Sequence, residues 1–86
     1  MKQVLMMMQE TCPYCRKARA FMDELRAENP DYAGIDVKMV DENIEVQFAD
    51  SLDYYYVPTY YVDGIKLYEG AVSKDDVRAV FDAALK

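Results

Sequence analysis

The chain has 86 residues and a formal charge of −6, from 16 acids against 10 bases, with 52% hydrophobic and 30% charged residues. That length fits one domain, residues 1–86, with a small core, and the composition is that of a soluble globular protein. The negative balance argues against nucleic acid and anionic membrane as partners, and no apolar run approaches the roughly 18 residues of a membrane span.

Lys2 to Gln9 holds Val4, Leu5 and three methionines in one apolar run. Such a run between polar residues suits a strand buried on both faces. A secretion signal could begin this way, but no small-residue cleavage site follows, so a cytoplasmic protein is expected. Pro13 to Asn29 reads as a helix. Ala18, Phe21, Met22 and Leu25 fall at i, i+3, i+4 and i+7, and Cys15 extends the same stripe by one turn. Pro13 is tolerated at a helix start, and Asn29-Pro30 stops the helix.

Ile35 to Val40 alternates, with Ile35, Val37 and Met39 on one side, and is expected to be the second strand. Asn43 to Leu52 is a weaker helix, with Asn43 as the cap and Ile44, Phe48 and Leu52 four apart. Thr59 to Val62 and Ile65 to Tyr68 are strands joined by Asp63-Gly64, a strong hairpin signal. Ser73 to Leu85 is the clearest helix, with Ser73 and Asp76 as a capping pair and Val77, Val80, Phe81, Ala84 and Leu85 on its apolar face. The order β-α-β-α-β-β-α places the chain in the α/β class. A right-handed β-α-β crossover pairs the first strands in parallel, and the hairpin adds an antiparallel pair. The expected architecture is a four-stranded mixed sheet with helices on both faces.

The chemistry lies in ETCPYCRKAR, residues 10–19. Cys12 and Cys15 are the only cysteines, and there is no histidine. Cys12 falls between the first strand and the first helix, where several helix N–H groups lack partners and favour an anion. Thiolate is the reactive form of cysteine, so this placement raises reactivity; Arg16, Lys17 and Arg19 stand in the first two turns as sources of positive potential. Cys15, one turn on, shares a face with Cys12, close enough for a disulfide. Cys12 is therefore the expected nucleophile and Cys15 the resolving thiol, with no metal required. Two competing readings are half of a zinc or iron–sulfur site shared with a second chain or outside thiols, and two inert core cysteines. Zinc wants about four ligands, which this chain lacks on its own.

At these residues the chain resembles the thioredoxin superfamily, and CPYC is the glutaredoxin form of its motif. Val57-Pro58-Thr59 before the hairpin adds to the resemblance. It implies a thioredoxin-like fold and a thiol–disulfide oxidoreductase. It also implies that Pro58 is cis and faces the cysteines, with the backbone at Val57 offered to an extended substrate. Pro13, Tyr14 and Tyr56 join Val57 and Pro58 as candidate substrate-binding residues. The implied partners are disulfide-containing client proteins, with glutathione or a thioredoxin-reductase-type donor as the electron source and no bound cofactor. A monomer is expected. Two departures concern glutathione. Gln9 stands where glutaredoxins carry a basic residue, and the segment Gly70 to Asp76 has one glycine where they carry a pair. There is also no tryptophan, so the one that thioredoxins place before the motif is missing. Most of the eight tyrosines read as strand packing, and the six methionines as core filler.

Overall fold

Met6 and Met7 point to opposite faces of the central strand and both are fully buried. That strand, β1 (Val4–Met8), therefore holds two layers together. In the computed structural model, which describes residues 1–86, β1 is followed by α1 (Pro13–Glu28), α2 (Pro30–Ala33), β2 (Val37–Asp41), α3 (Val46–Asp50), β3 (Thr59–Val62), β4 (Ile65–Glu69) and α4 (Lys74–Leu85). The four strands form one sheet in the order β2-β1-β3-β4. β1 pairs in parallel with β2 and antiparallel with β3, and β3 pairs antiparallel with β4. This is the α/β architecture expected from the element order.

One face of the sheet carries Val4, Met6, Met8, Tyr60 and Val62 against the buried stripes of α1 and α4. Cys15, Ala18, Met22 and Leu25 come from α1; Val77, Val80, Phe81 and Ala84 come from α4. The other face packs Met7, Val40 and Tyr61 against Ala49 of α3. Each fully buried side chain of this size contributes about 1.5–3 kcal/mol, so the first face dominates stability. Asn29 closes α1 through its N–H to Leu25 and opens α2 by accepting from the Asp31 N–H at 2.9 Å, with Pro30 as the first helical residue. The Tyr32 hydroxyl then donates to Asp82 at 2.6 Å and ties α2 to α4.

Several expectations hold in detail. Asp63 and Gly64 both take positive φ, as a two-residue hairpin turn demands. Ser73 and Asp76 form a reciprocal capping box at α4. Others need correction. Val40 is 1% exposed, whereas Met39 is 49% exposed. Ile35 and Val37 join the core on the face covered by α1 and α4, as the alternation predicts, while the opposite face adds Val40 through its pairing beside Met7 and Met39 is left exposed. α3 is only five residues long and begins after Glu45, so Asn43 is not its cap. Its buried residue is Ala49; Ile44 and Phe48 are exposed, with Lys38 lying over the Phe48 ring. Leu85, at the frayed end of α4, is also exposed.

Candidate active site

β1 delivers the chain at Met8, and a tight turn follows in which the Cys12 N–H donates to the Gln9 carbonyl at 3.2 Å. Cys12 is the N-cap of α1, in extended backbone, and its carbonyl accepts the first helical bond from Arg16 at 3.0 Å. Pro13 occupies the first helical position and needs no N–H partner there. Cys15 is the third helical residue and heads the apolar stripe. It is 0% exposed, while Cys12 is half-buried and packs against the same core cluster. Both thiols are free.

The environment splits the two sulfurs. At Cys12 burial opposes ionisation. It is outweighed by the N–H groups of Cys15 and Tyr14 and by the Cys15 thiol, whose positive ends favour charge on the sulfur and hold the group below an ordinary thiol, although the Cys12 side chain makes no capping hydrogen bond. Burial pushes the Cys15 thiol up to about 12; the nearby Cys12 sulfur adds to this, and the Gln9 backbone and Arg19 oppose it. The cations behind the motif divide similarly. Arg19 pairs with Glu10 at 3.3 Å and acts on Cys15, while Arg16 and Lys17 project into solvent. The charged side chain acting on Cys12 is an anion, Glu42, which resists its ionisation.

The remaining residues singled out from the sequence lie in the segment before β3, where Val57 packs against the same core cluster as Cys12. The Val57–Pro58 peptide bond is cis. Pro58 is fully buried, and its carbonyl accepts from the Gly70 N–H at 2.8 Å. Pro58 thus shapes the segment from within the packed interior. Val57 packs against both core clusters, and its own N–H and C=O make no hydrogen bond within the chain. Those two groups are free for an extended segment of another chain. Tyr14 and Tyr56 are 56% and 70% exposed, and Pro13 is exposed beside them.

Two functional-looking carboxylates escaped the sequence reading. Glu69, at the end of β4, accepts from the N–H groups of Tyr55 and Tyr56, the latter at 3.0 Å, and from Lys66 Nζ at 2.9 Å. The Tyr55 amide, then Lys66, then the Tyr56 amide hold its carboxyl at about 2. Glu42 accepts from the Tyr54 hydroxyl at 2.7 Å and from the Gln9 amide. It also lines a cavity of about 440 Å³ with Val46, Asp50, Leu52, Tyr54 and Tyr55. No group of three or more His, Cys, Asp or Glu side chains is placed to hold a metal ion, and no helix is long and apolar enough to cross a membrane.

Comparison with known proteins agrees with this geometry. Among solved structures, an 82%-covered oxidised thioredoxin from Plasmodium falciparum superposes on 99% of this chain with a TM-score of 0.72 at 16% identity. A structure described as a malarial protein gives the same TM-score at 21% identity, over 99% of this chain and 98% of that one. Oxidized glutaredoxin 2 from Chlamydomonas reinhardtii gives 0.52 at 21% identity, over 98% of this chain and 76% of that one. At these identities the likeness establishes a thioredoxin-type fold. No curated protein matches the chain. The family model described as Glutaredoxin matches residues 4–65, which span the cysteine pair, the Val57-Pro58 segment and the hairpin turn. With a thioredoxin-type fold and a match over well over half its length, the chain belongs to the glutaredoxin family.

Proposed function

We propose that the protein is a dithiol oxidoreductase that reduces disulfides of client proteins and mixed disulfides with glutathione. The observation that carries this reading is the opposite displacement of two thiols one helical turn apart. Cys12 is held below an ordinary thiol and Cys15 is pushed up to about 12. The more accessible, more acidic thiol attacks; a buried, protonated neighbour waits. Cys12 displaces one sulfur of the client disulfide and forms a mixed disulfide. Cys15 then attacks Cys12, the second client sulfur leaves with the electron pair, and an intramolecular disulfide remains. An extended client segment pairs with the free backbone groups of Val57, flanked by Tyr14 and Tyr56.

Protein disulfides suit the site better than glutathione adducts. Glutathione carries a net negative charge, and the side chain beside Cys12 is the carboxylate of Glu42, itself held by Gln9. In this reading the protein is a cytoplasmic monomer without a bound cofactor, regenerated by glutathione or by a flavin-dependent reductase of the thioredoxin-reductase type. Two measurements test it. Cys15→Ala, incubated with a disulfide-containing protein, should accumulate a mixed disulfide at Cys12, seen by mass as an adduct that dithiothreitol removes. Reduction of insulin should proceed with either donor system and vanish in Cys12→Ser. Turnover without Cys12, or no adduct in Cys15→Ala, refutes the assignment.

A further inference from the structure

The cavity of about 440 Å³ beside α3 is one-sided in charge. Glu42 and Asp50 line it together with Val46, Leu52, Tyr54 and Tyr55, and no lysine or arginine does. Neither carboxylate enters an ion pair anywhere in the chain. The Tyr54 hydroxyl donates to Glu42 at 2.7 Å, and Val46 and Tyr55 are 50% and 86% exposed. Two unneutralised carboxylates thus stand beside apolar surface that is open to solvent. That is the complement of a lysine or arginine side chain, which lays its aliphatic stem on apolar surface and keeps its charged head at a polar rim. The cavity is also fastened to the turn that carries Cys12. The Glu42 N–H donates to the Met8 carbonyl at 3.0 Å, and the Gln9 amide donates to the Glu42 carboxylate. The Gln9 carbonyl in turn accepts from the Cys12 N–H at 3.2 Å. Three residues on from Gln9, the Cα of Cys12 stands at most about 11 Å away. At the other margin Tyr55 lies two residues before Val57, whose N–H and C=O make no hydrogen bond within the chain.

We propose that this cavity selects clients by taking up a lysine or arginine side chain about three residues from the disulfide cysteine, with Glu42 and Asp50 as its counter-charges. The proposal rests on the redox reading above. An extended client advances about 3.4 Å per residue, so three residues cover about the distance from Gln9 to Cys12. Its cysteine then meets Cys12 while its cation reaches the carboxylates. A glutamate at the same place meets like charge, and a glutamine gains nothing, so the cavity discriminates by repulsion as well as attraction. The net charge of −6 draws any cationic peptide from a distance. Two carboxylates in one cavity act at contact instead, so the preference belongs to the position of the cation as well as to its sign. No bond forms or breaks at the cavity, and the sulfur chemistry is unaltered.

The test uses three peptides with one cysteine each, which differ only at the positions three residues to either side of it. Those positions hold lysine, glutamine or glutamate, and the cysteine carries thionitrobenzoate as a mixed disulfide. Cys12 attacks the peptide sulfur, the bond to thionitrobenzoate breaks, and the electron pair leaves on thionitrobenzoate, whose absorbance gives the rate. Attack falls on the peptide sulfur because thionitrobenzoate is the more acidic leaving thiol. At low salt the lysine peptide should react about fivefold faster than the glutamine peptide, and the glutamate peptide more slowly, with the spread shrinking at high salt. Each variant is judged by its ratio of lysine to glutamine rates, in which a change of Cys12 reactivity cancels. Asp50→Asn and Glu42→Gln should each lower that ratio to about twofold, and Asp50→Lys should put the glutamate peptide ahead. Asp36→Asn removes the same charge at the opposite end of the sheet, where Val37 pairs with Val4, and should leave the ratio unchanged. Equal rates for the three peptides in the parent overturn the proposal. So does a ratio lowered as far by Asp36→Asn as by Asp50→Asn, which marks the general field of an acidic chain. A parent that releases thionitrobenzoate no faster than Cys12→Ser overturns the redox reading instead. The cavity is then read separately, by adding a cysteine-free lysine peptide to isotope-labelled Cys12→Ser protein. Amide shifts should concentrate at Val46, Asp50 and Tyr55, and shifts that are absent or evenly spread overturn the cavity as a site.

Discussion

The division of labour between the two thiols can be tested by brief alkylation. At pH 7 a thiol at the ordinary value of 9.0 is ionised to ~1%, and one at about 12 to ~0.001%, a ratio of about 10³. Less acidic thiolates are intrinsically better nucleophiles, which over this gap returns about 15–30-fold. The net preference for Cys12 is then about 30–60-fold. This is a lower bound, because Cys12 lies below 9.0 and Cys15 is 0% exposed. A pulse of iodoacetamide on the fully reduced protein, quenched by acid at less than one label per chain, followed by peptide mass analysis, reads the ratio directly. More than nine-tenths of the first label should reside on Cys12. In Cys12→Ser the remaining thiol should stay slower than free cysteine, because burial is the largest influence on it and survives the substitution. Equal labelling, or Cys15 labelled first, would refute the reasoning from helix amides and burial together.

Three further outcomes follow from named contacts. Glu69 is held well below a free carboxylate first by the Tyr55 amide, so the fastening it gives residues 55–56 is complete above about pH 4.5 and is lost as pH falls toward 2. Hydrogen exchange at Tyr55 and Tyr56 should accelerate across that window, and Glu69→Gln should flatten the dependence; an unchanged profile in the variant refutes the role. Glu42→Gln removes a negative charge that opposes Cys12 ionisation, so thiolate absorbance should titrate at lower pH. Reaction with glutathione disulfide should also rise by about 2–5-fold at low salt, with the gain shrinking at high salt; a salt-independent change would point elsewhere. Ser73→Ala breaks the capping box of α4 and should lower unfolding free energy by about 1 kcal/mol in urea titration. An unmoved midpoint would show the cap to be idle.

Much of this site was legible because its parts are local. CPYC between a strand and an amphipathic helix, Asp63-Gly64 between two strand-like runs, and Ser73 three before Asp76 each announce their structure within a few residues. The misreadings arise where tertiary packing decides. β2 is an edge strand, and alternation alone does not say that both of its faces are covered; Ile35 and Val37 meet one cluster, and pairing beside Met7 puts Val40 into the other. α3 is too short for periodicity to speak, and its one buried residue is Ala49. Asn29-Pro30 was legible as a stop, yet the same pair caps a new short helix, since Asn at a cap and Pro at the first position are start signals as well. Glu42 and Glu69 carry no sequence signal. The first reaches Gln9 only through β1–β2 pairing, and the second reaches Tyr55 and Tyr56 only because the β3–β4 hairpin folds back. Resemblance supplied Pro58; no local pattern separates it from an ordinary strand-entry proline.

The unpaired main-chain rung at Val57 has a consequence for breadth of use. Peptide groups are identical in every polypeptide, so a docking edge made of one amide and one carbonyl ignores the identity of what it grips. On the proposed reading, selectivity falls to exposed rings such as Tyr14 and Tyr56, which tolerate replacement without disturbing the packed interior. If the proposed activity holds, such a scaffold can change its clientele by surface drift while the cysteine pair stays fixed.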